Sequence, residues 1–278
     1  MKLYISSGIC GATGVVSEAQ GDPSSPEYSF GRSMQMHDLR AALSGAFEAG
    51  AEMVVVNDAH GTMTNVDVSA FGKGVRIISG SPKLLGAAEG TGGCDGAVFL
   101  GYHAMAGTEK AVLDHTFDSN TIRSLSLNGR KMGETGINAL FAGVQSVPVI
   151  AVSGDDALCM EAASLLGENI ETIPVKEGLS HAAAICIPPE ETAGMISEGV
   201  KRAAVKLASG VFSPFAAEPP YMIDITLADT LQTDSASLVP GAVRVAPCTL
   251  RFETDEALEL RRIIYSVIRC ASARAGLL

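Results

Sequence analysis

Tryptophan is absent from this chain of 278 residues, and aromatic residues of all kinds make up only 5%. Any core must therefore be built from aliphatic side chains. The 47% apolar share and 30 glycines suit a compact, alanine- and glycine-rich α/β protein and exclude a disordered one. Basic residues are also scarce. Twenty Lys and Arg face 31 Asp and Glu, a formal net charge of −11. No basic patch is available to neutralise phosphates, so no nucleic-acid partner is expected. No run of about eighteen apolar residues occurs, so no membrane association is expected either. The six cysteines (10, 94, 159, 186, 248 and 270) are scattered without a CxxC pair. That spacing, with no charged-then-apolar leader ahead of the first apolar run, points to reduced thiols and a cytoplasmic protein. Histidine is scarce too, with five in all, so their placement carries weight.

Two of the five fall close together. Ala97-Val98-Phe99-Leu100 is an apolar run of strand length that ends in Gly101 and delivers Tyr102-His103, and His115 follows Asp114 twelve residues later. Ligands of open α/β sheets bind beyond the carboxyl ends of the strands, which is where this pattern puts His103. A third histidine repeats the arrangement: Met53-Val54-Val55-Val56 runs into Asn57-Asp58-Ala59-His60-Gly61. The first strand, residues 3–6, leads into a loop with glycines at 8, 11 and 14. This GxxGxxG spacing is not the dinucleotide fingerprint GxGxxG, and close backbone packing explains it as well. His37 reads as a surface residue, and His181 as structural or peripheral.

The remaining pattern is that of an α/β protein. Residues 19–30 are polar and broken by prolines, hence loop. A helix is predicted from Arg32, with Met36, Leu39, Leu43 and Phe47 on one stripe and Gly50 as its stop. Further strands are predicted at residues 75–80, 122–127, 147–152, 182–187, 222–227, 243–246 and 249–252. Asn128-Gly129 signals a hairpin turn. Glu134 falls near the start of a helix running through Phe141, where the helix dipole favours a carboxylate. Asp155 or Asp156 caps a helix through Leu166. Helices are also expected at 190–207 and 255–273, with a proline-bearing linker at 213–220. The expected architecture is a central, largely parallel sheet with flanking helices over residues 1–154, and a smaller α+β part over residues 155–278.

Nine pieces in this order resemble one family. They are Lys2-Leu3-Tyr4, Gly31-Arg32, Val56-Asn57-Asp58-Ala59-His60, Phe99-Leu100-Gly101-Tyr102-His103-Ala104, Asp114-His115-Thr116, Asn128-Gly129, Gly133-Glu134-x-Gly136-x-Asn138-Ala139, Gly154-Asp155-Asp156 and Val239-Pro240-Gly241. Together they look like the zinc-dependent D-aminopeptidases associated with bacterial dipeptide-transport operons, over essentially the whole chain. The resemblance implies a two-zinc aminopeptidase that removes amino-terminal residues, often D-residues, from short peptides. It also implies a ring-like, decamer-type homo-oligomer. His60, His103 and Glu134 match family metal ligands, and His115 matches the histidine placed for catalysis.

The first loop departs from that pattern. Where the family has Asp-x-Glu-Gly, this chain reads Gly8-Ile9-Cys10-Gly11, and the family's threonine and acidic residues in the next helix become Met36-His37-Asp38. Both carboxylates of the first loop are gone, the first of which is expected to bridge two metals. His60, His103 and Glu134 remain as the two-His, one-carboxylate set of single-zinc hydrolases, with Cys10 as a candidate fourth ligand. His115 would transfer protons, and Asp58 or Asp114 would orient an imidazole. The leading expectation is a metal-dependent hydrolase of small peptides or amides with one zinc rather than two. The alternatives are a metal-free, non-catalytic oligomer that binds small molecules, and an amidohydrolase with Cys10 as nucleophile and His115 or His60 as base.

Overall fold

The structure, a computed structural model, describes residues 1–273. In chain order its elements are β1 (Lys2–Ser7), α1 (Tyr28–Glu48), β2 (Met53–Asp58), β3 (Val75–Ile78), β4 (Gly96–Leu100), β5 (Ile122–Leu127), β6 (Arg130–Lys131), α2 (Glu134–Val144), β7 (Val149–Asp155), α3 (Asp156–Leu166), β8 (Glu171–Ser180), β9 (Ala183–Cys186), α4 (Pro189–Leu207), β10 (Tyr221–Leu227), α5 (Thr230–Ala236), β11 (Val243–Ala246), β12 (Thr249–Thr254) and α6 (Ala257–Ser272). Seven strands form one sheet in the order β3-β2-β1-β4-β7-β8-β9, parallel except for the antiparallel edge strand β9. Five strands form a second, antiparallel sheet in the order β11-β12-β10-β5-β6.

Because both faces are covered, the central strands of the first sheet carry apolar runs, which in β1, β2 and β7 give way to polar residues toward their carboxyl ends. Leu3 and Ile5 of β1 pack with Leu39, Ala42 and Leu43 of α1 and with Ile196 and Val200 of α4. Tyr4, on the opposite face, joins Phe99, Ala139 and Ala142 of α2, and Leu158 of α3. The other side of α2 presents Ile137, Leu140 and Phe141 to the second sheet and to Ile264 and Val267 of α6. One helix thus serves as the shared layer between the two sheets, and Glu134 stands at its amino end.

Sheet membership does not follow the expected boundary at 154/155. β5 and β6 lie before it but belong to the second sheet, whereas β8, β9 and the covering helices α3 and α4 lie after it on the first. The chain leaves the first sheet after β4, builds one hairpin of the second, and returns. The Asn128–Gly129 turn that closes this hairpin has both residues at positive φ, 50° and 80°, as a two-residue hairpin loop requires. Two elements, β8 and α5, go beyond the sequence expectation. In β8, Pro174, Lys176 and Glu177 interrupt the apolar pattern, although Ile173 and Val175 are buried. Only seven residues make up α5, capped by Asp229, whose side chain accepts from the Gln232 amide.

Candidate active site

Four elements of the first sheet and its shared helix converge at the carboxyl edge of the strands. The chain leaves β1 into the glycine-spaced loop, where the Gly8 and Gly11 amides donate to the carbonyls of Leu100 and Gly101 at 2.8 and 2.9 Å. A Cβ on Gly11 would overlap the carbonyl oxygen of Tyr102, so this loop can lie against the end of β4 only without a side chain there. The glycine spacing is thus a packing device, and it brings Cys10 next to the segment that carries His103. Lys176 of β8 fixes the loop from behind. It is buried, and its Nζ donates to the carbonyls of Cys10, Ala12 and Val15 at 3.1, 3.0 and 2.5 Å. Burial lowers its pKa to about 8.

The loop after β2 is built around Asp58. Its carboxylate accepts the amides of His60, Asn65 and Val66 and the side-chain amide of Asn65, so it braces the loop and touches no imidazole. The His60 ring lies between two partners, with Nε2 at 2.8 Å from the Gly21 carbonyl and Nδ1 at 3.7 Å from Cys10 Sγ. Asp114 does meet an imidazole, but that of His181 and not of the central histidines, pairing with its Nδ1 at 2.6 Å and accepting the Gly107 amide at 2.7 Å. His181 is half-exposed. His37 bridges α1 to α4, with Nδ1 on Asp38 and Nε2 on the Pro189 carbonyl, each at 2.9 Å.

His103, His115 and Glu134 form the chemical centre. The two imidazoles stack with centroids 3.7 Å apart and an interplanar angle of 14°. His103 Nε2 lies 3.3 Å, and His115 Nε2 3.7 Å, from Glu134 Oε1. Each Nδ1 meets a backbone carbonyl, Ala104 at 3.0 Å and Leu113 at 2.7 Å. Those contacts place the Nδ1 proton on the backbone side and turn each Nε2 toward the carboxylate. Glu134 is held by the Phe117 amide, which donates to Oε1 at 2.7 Å. Among the described residues, these three are the group whose donor atoms lie close enough together to share one ion, all within 4.8 Å. Cys10 and His60 line the same cavity of about 290 Å³ but stand outside the trio. The expected ligand set is therefore brought together in part: His103 and Glu134 meet, His115 joins them, and His60 pairs with Cys10 instead.

The electrostatics follow from this packing. Burial alone would lower His103, but the Glu134 hydrogen bond and charge prevail and lift it to about 9. Burial would raise Glu134, but His103, His115 and the Phe117 amide hold it at about 2. His115 is pushed to about 4 by burial and by the His103 charge, so its contact with Glu134 involves a neutral ring. Burial also opposes ionisation of Cys10, yet His60 overrides it and draws the thiol below its usual value. His60 is raised to about 9, against burial, by Cys10 and the Gly21 carbonyl.

A family profile described as D-aminopeptidase matches residues 1–266. The chain belongs to the D-aminopeptidase family. It is 32% identical to the D-aminopeptidase of Bacillus subtilis (strain 168) over 261 residues, 93% of each chain. It also superimposes, with a TM-score of 0.93 and 30% identity over 99% of both chains, on a solved structure described as the Zn-dependent D-aminopeptidase DppA from Bacillus subtilis, a self-compartmentalizing protease. The resemblance read from the nine motifs is therefore correct, as is the largely parallel α/β architecture.

Against the D-aminopeptidase fold, the donor set can be tested for a metal. Two imidazoles with Nε2 lone pairs and one anionic carboxylate are the ligand types of a catalytic zinc site with an open position. Both Nε2 atoms face the same carboxylate oxygen, His103 at 3.3 Å and His115 at 3.7 Å, an arrangement that a cation between them would satisfy. The residues fit one ion. Cys10 and His60 provide only two further donors, and Gly8 provides none. Sequence reasoning missed Lys176 and Glu161. The latter is a half-buried carboxyl on α3 that accepts the Met105 amide at 2.8 Å just beyond His103. Neither sits in a motif, because each acts on backbone atoms far away in the chain.

Proposed function

We propose that this chain is a metal-dependent aminopeptidase of short peptides or amides, including those with D-residues, that holds one zinc ion between His103, His115 and Glu134. The convergence of those three side chains in one cavity at the carboxyl edge of the parallel sheet carries this reading. When bound there, zinc supplies positive charge that polarises an amide carbonyl and acidifies water. The protein's own residues do the rest. The Ala104 and Leu113 carbonyls orient the imidazoles, and the Phe117 amide fixes Glu134. His115, neutral at physiological pH, keeps an Nε2 lone pair in the cavity and serves as the third donor, in place of the proton-carrying role the resemblance gives it. Release of the amino-terminal residue from a D-series and an L-series, each comprising aminoacyl amides and free-carboxyl dipeptides, tests the reading. Zinc-loaded protein should turn over at least one series, and Glu134→Gln should lose about 100-fold or more. Failure of both series on zinc-loaded protein would overturn it.

A second reading rests on the Cys10–His60 pair. Thiol, imidazole and Gly21 carbonyl stand in the order nucleophile, base, orienting acceptor, in the same cavity. Activity that resists a chelator and disappears in Cys10→Ser would favour this thiol amidohydrolase; activity abolished by the chelator favours the metal. We also propose a cytoplasmic, ring-like homo-oligomer of decamer type. The ring is supported by the self-compartmentalizing relative, and the cytoplasmic location by the scattered, unpaired cysteines.

A further inference from the structure

The reactive trio occupies one of three cavities that meet at His115 and Ser119. A second, of about 450 Å³, continues past His115 along Gly107, Ile122 and Arg123. A third, of about 210 Å³, passes Cys10 and His60 toward Glu18 and Asp22. Their charges differ. The third carries two carboxylates and no Lys or Arg. The second shares Glu18 with the third but also holds Arg123; there Asp114 and His181 pair with each other at 2.6 Å, and Arg123 has no carboxylate partner among the described residues. Its Nη1 donates to the Ser119 carbonyl at 2.8 Å, tying the guanidinium to the segment that all three cavities share. The other nitrogens retain a planar donor fork of the kind that binds a carboxylate with two parallel hydrogen bonds.

On the aminopeptidase reading above, we propose that Arg123 receives the terminal carboxylate of a short peptide. The substrate then lies with its leaving-group end in the Arg123 cavity, its scissile bond at His103, His115 and Glu134, and its free amine toward the carboxylate-lined side. A protein of net charge −11 repels an entering carboxylate, and a local cation at this spot offsets that repulsion where the peptide's own carboxylate arrives. Arg123 is thus a specificity residue that makes the enzyme distinguish peptides with a free carboxyl end from amidated ones.

The test compares D-alanyl-D-alanine with its carboxamide in two ways. KM and kcat are measured on zinc-loaded protein. Equilibrium binding of the corresponding reduced-amide analogues, acid and carboxamide, is measured by calorimetry on the full chain as purified. Wild type should prefer the acid, and Arg123→Gln should reduce that preference by about 10- to 100-fold in both KM and Kd, as expected for a lost charge-assisted hydrogen bond. Arg123→Lys should restore part of it. Binding of both compounds with the same preference in wild type and Arg123→Gln would overturn the inference and leave the peptidase reading standing. Binding and turnover of neither would overturn both.

Discussion

His103 and Glu134 set each other's charge, and this has a consequence for stability in chelator-treated protein. The folded His103 pKa, about 9, lies above the unfolded histidine value, so its contribution is fully present below about pH 6.5 and is lost as pH rises through 9. Glu134 behaves in the opposite sense. Its folded value of about 2 lies below the unfolded carboxylate, so its contribution is present above about pH 4.3 and is lost as pH falls through 2. Thermal melts of metal-free protein should therefore show a loss of stability between pH 6.5 and 9 that is smaller in His103→Gln, where His60 still contributes in that window. A variant curve parallel to the wild type would show that the pair is not coupled. At this scale the sequence is informative where residue types are rare. Five histidines, three of them just past apolar runs or an aspartate, point to the cavity. It is silent on Lys176, Glu161 and Arg123, because lysine, arginine and glutamate are common surface residues and only the fold brings these three to loop and cavity.

The loop after β1 is the element on which the site's shape depends. It has no regular backbone ladder of its own, and Lys176 joins three of its carbonyls from a strand 161 or more positions away in sequence. Lys176→Met keeps the length of the side chain but removes the donors, leaving buried carbonyls short of partners. The expected cost is about 3 kcal/mol in denaturant unfolding, with a rise in KM as the Cys10 segment loosens. A variant as stable as wild type would mean that water or another donor replaces the ammonium. The elements most legible in the sequence, β1, β2, β4 and β7, are buried on both faces and therefore read as unbroken apolar runs. Strand β8 does not, because a proline, a glutamate and a functional lysine stand among its apolar residues. The hairpin of β5 and β6 reads as strand and turn, but nothing local says which sheet it joins. That depends on partners such as Ile223 and Ile225, about a hundred residues later.

Across the whole molecule, α2 links the two sheets, packing on the first through Ala139 and Ala142 and on the second through Ile137, Leu140 and Phe141. A site whose carboxylate begins that helix depends on both layers, which is why no cut of the chain at 154 separates a metal-carrying half from the rest. The order of the nine motifs makes the family legible from the residues alone, whereas the interleaved strand order is not, since it rests on contacts between distant segments. If the chain assembles as its self-compartmentalizing relative is described, light scattering should give a mass that is a multiple of the 28.7 kDa chain, near tenfold for a decamer-type ring. A monomeric mass at working concentration would show that the chain forms no ring.

We propose that the metal centre holds one ion, with Gly8 and Cys10 standing in the first loop where the family resemblance places two carboxylates. The most direct test is zinc content per chain, measured by elemental analysis on protein purified without chelator and again after zinc is supplied, in wild type and His103→Ala. About one zinc per chain in wild type, lost in the variant, is the result predicted by a two-His, one-carboxylate site. No zinc even after loading, or two per chain, would contradict it.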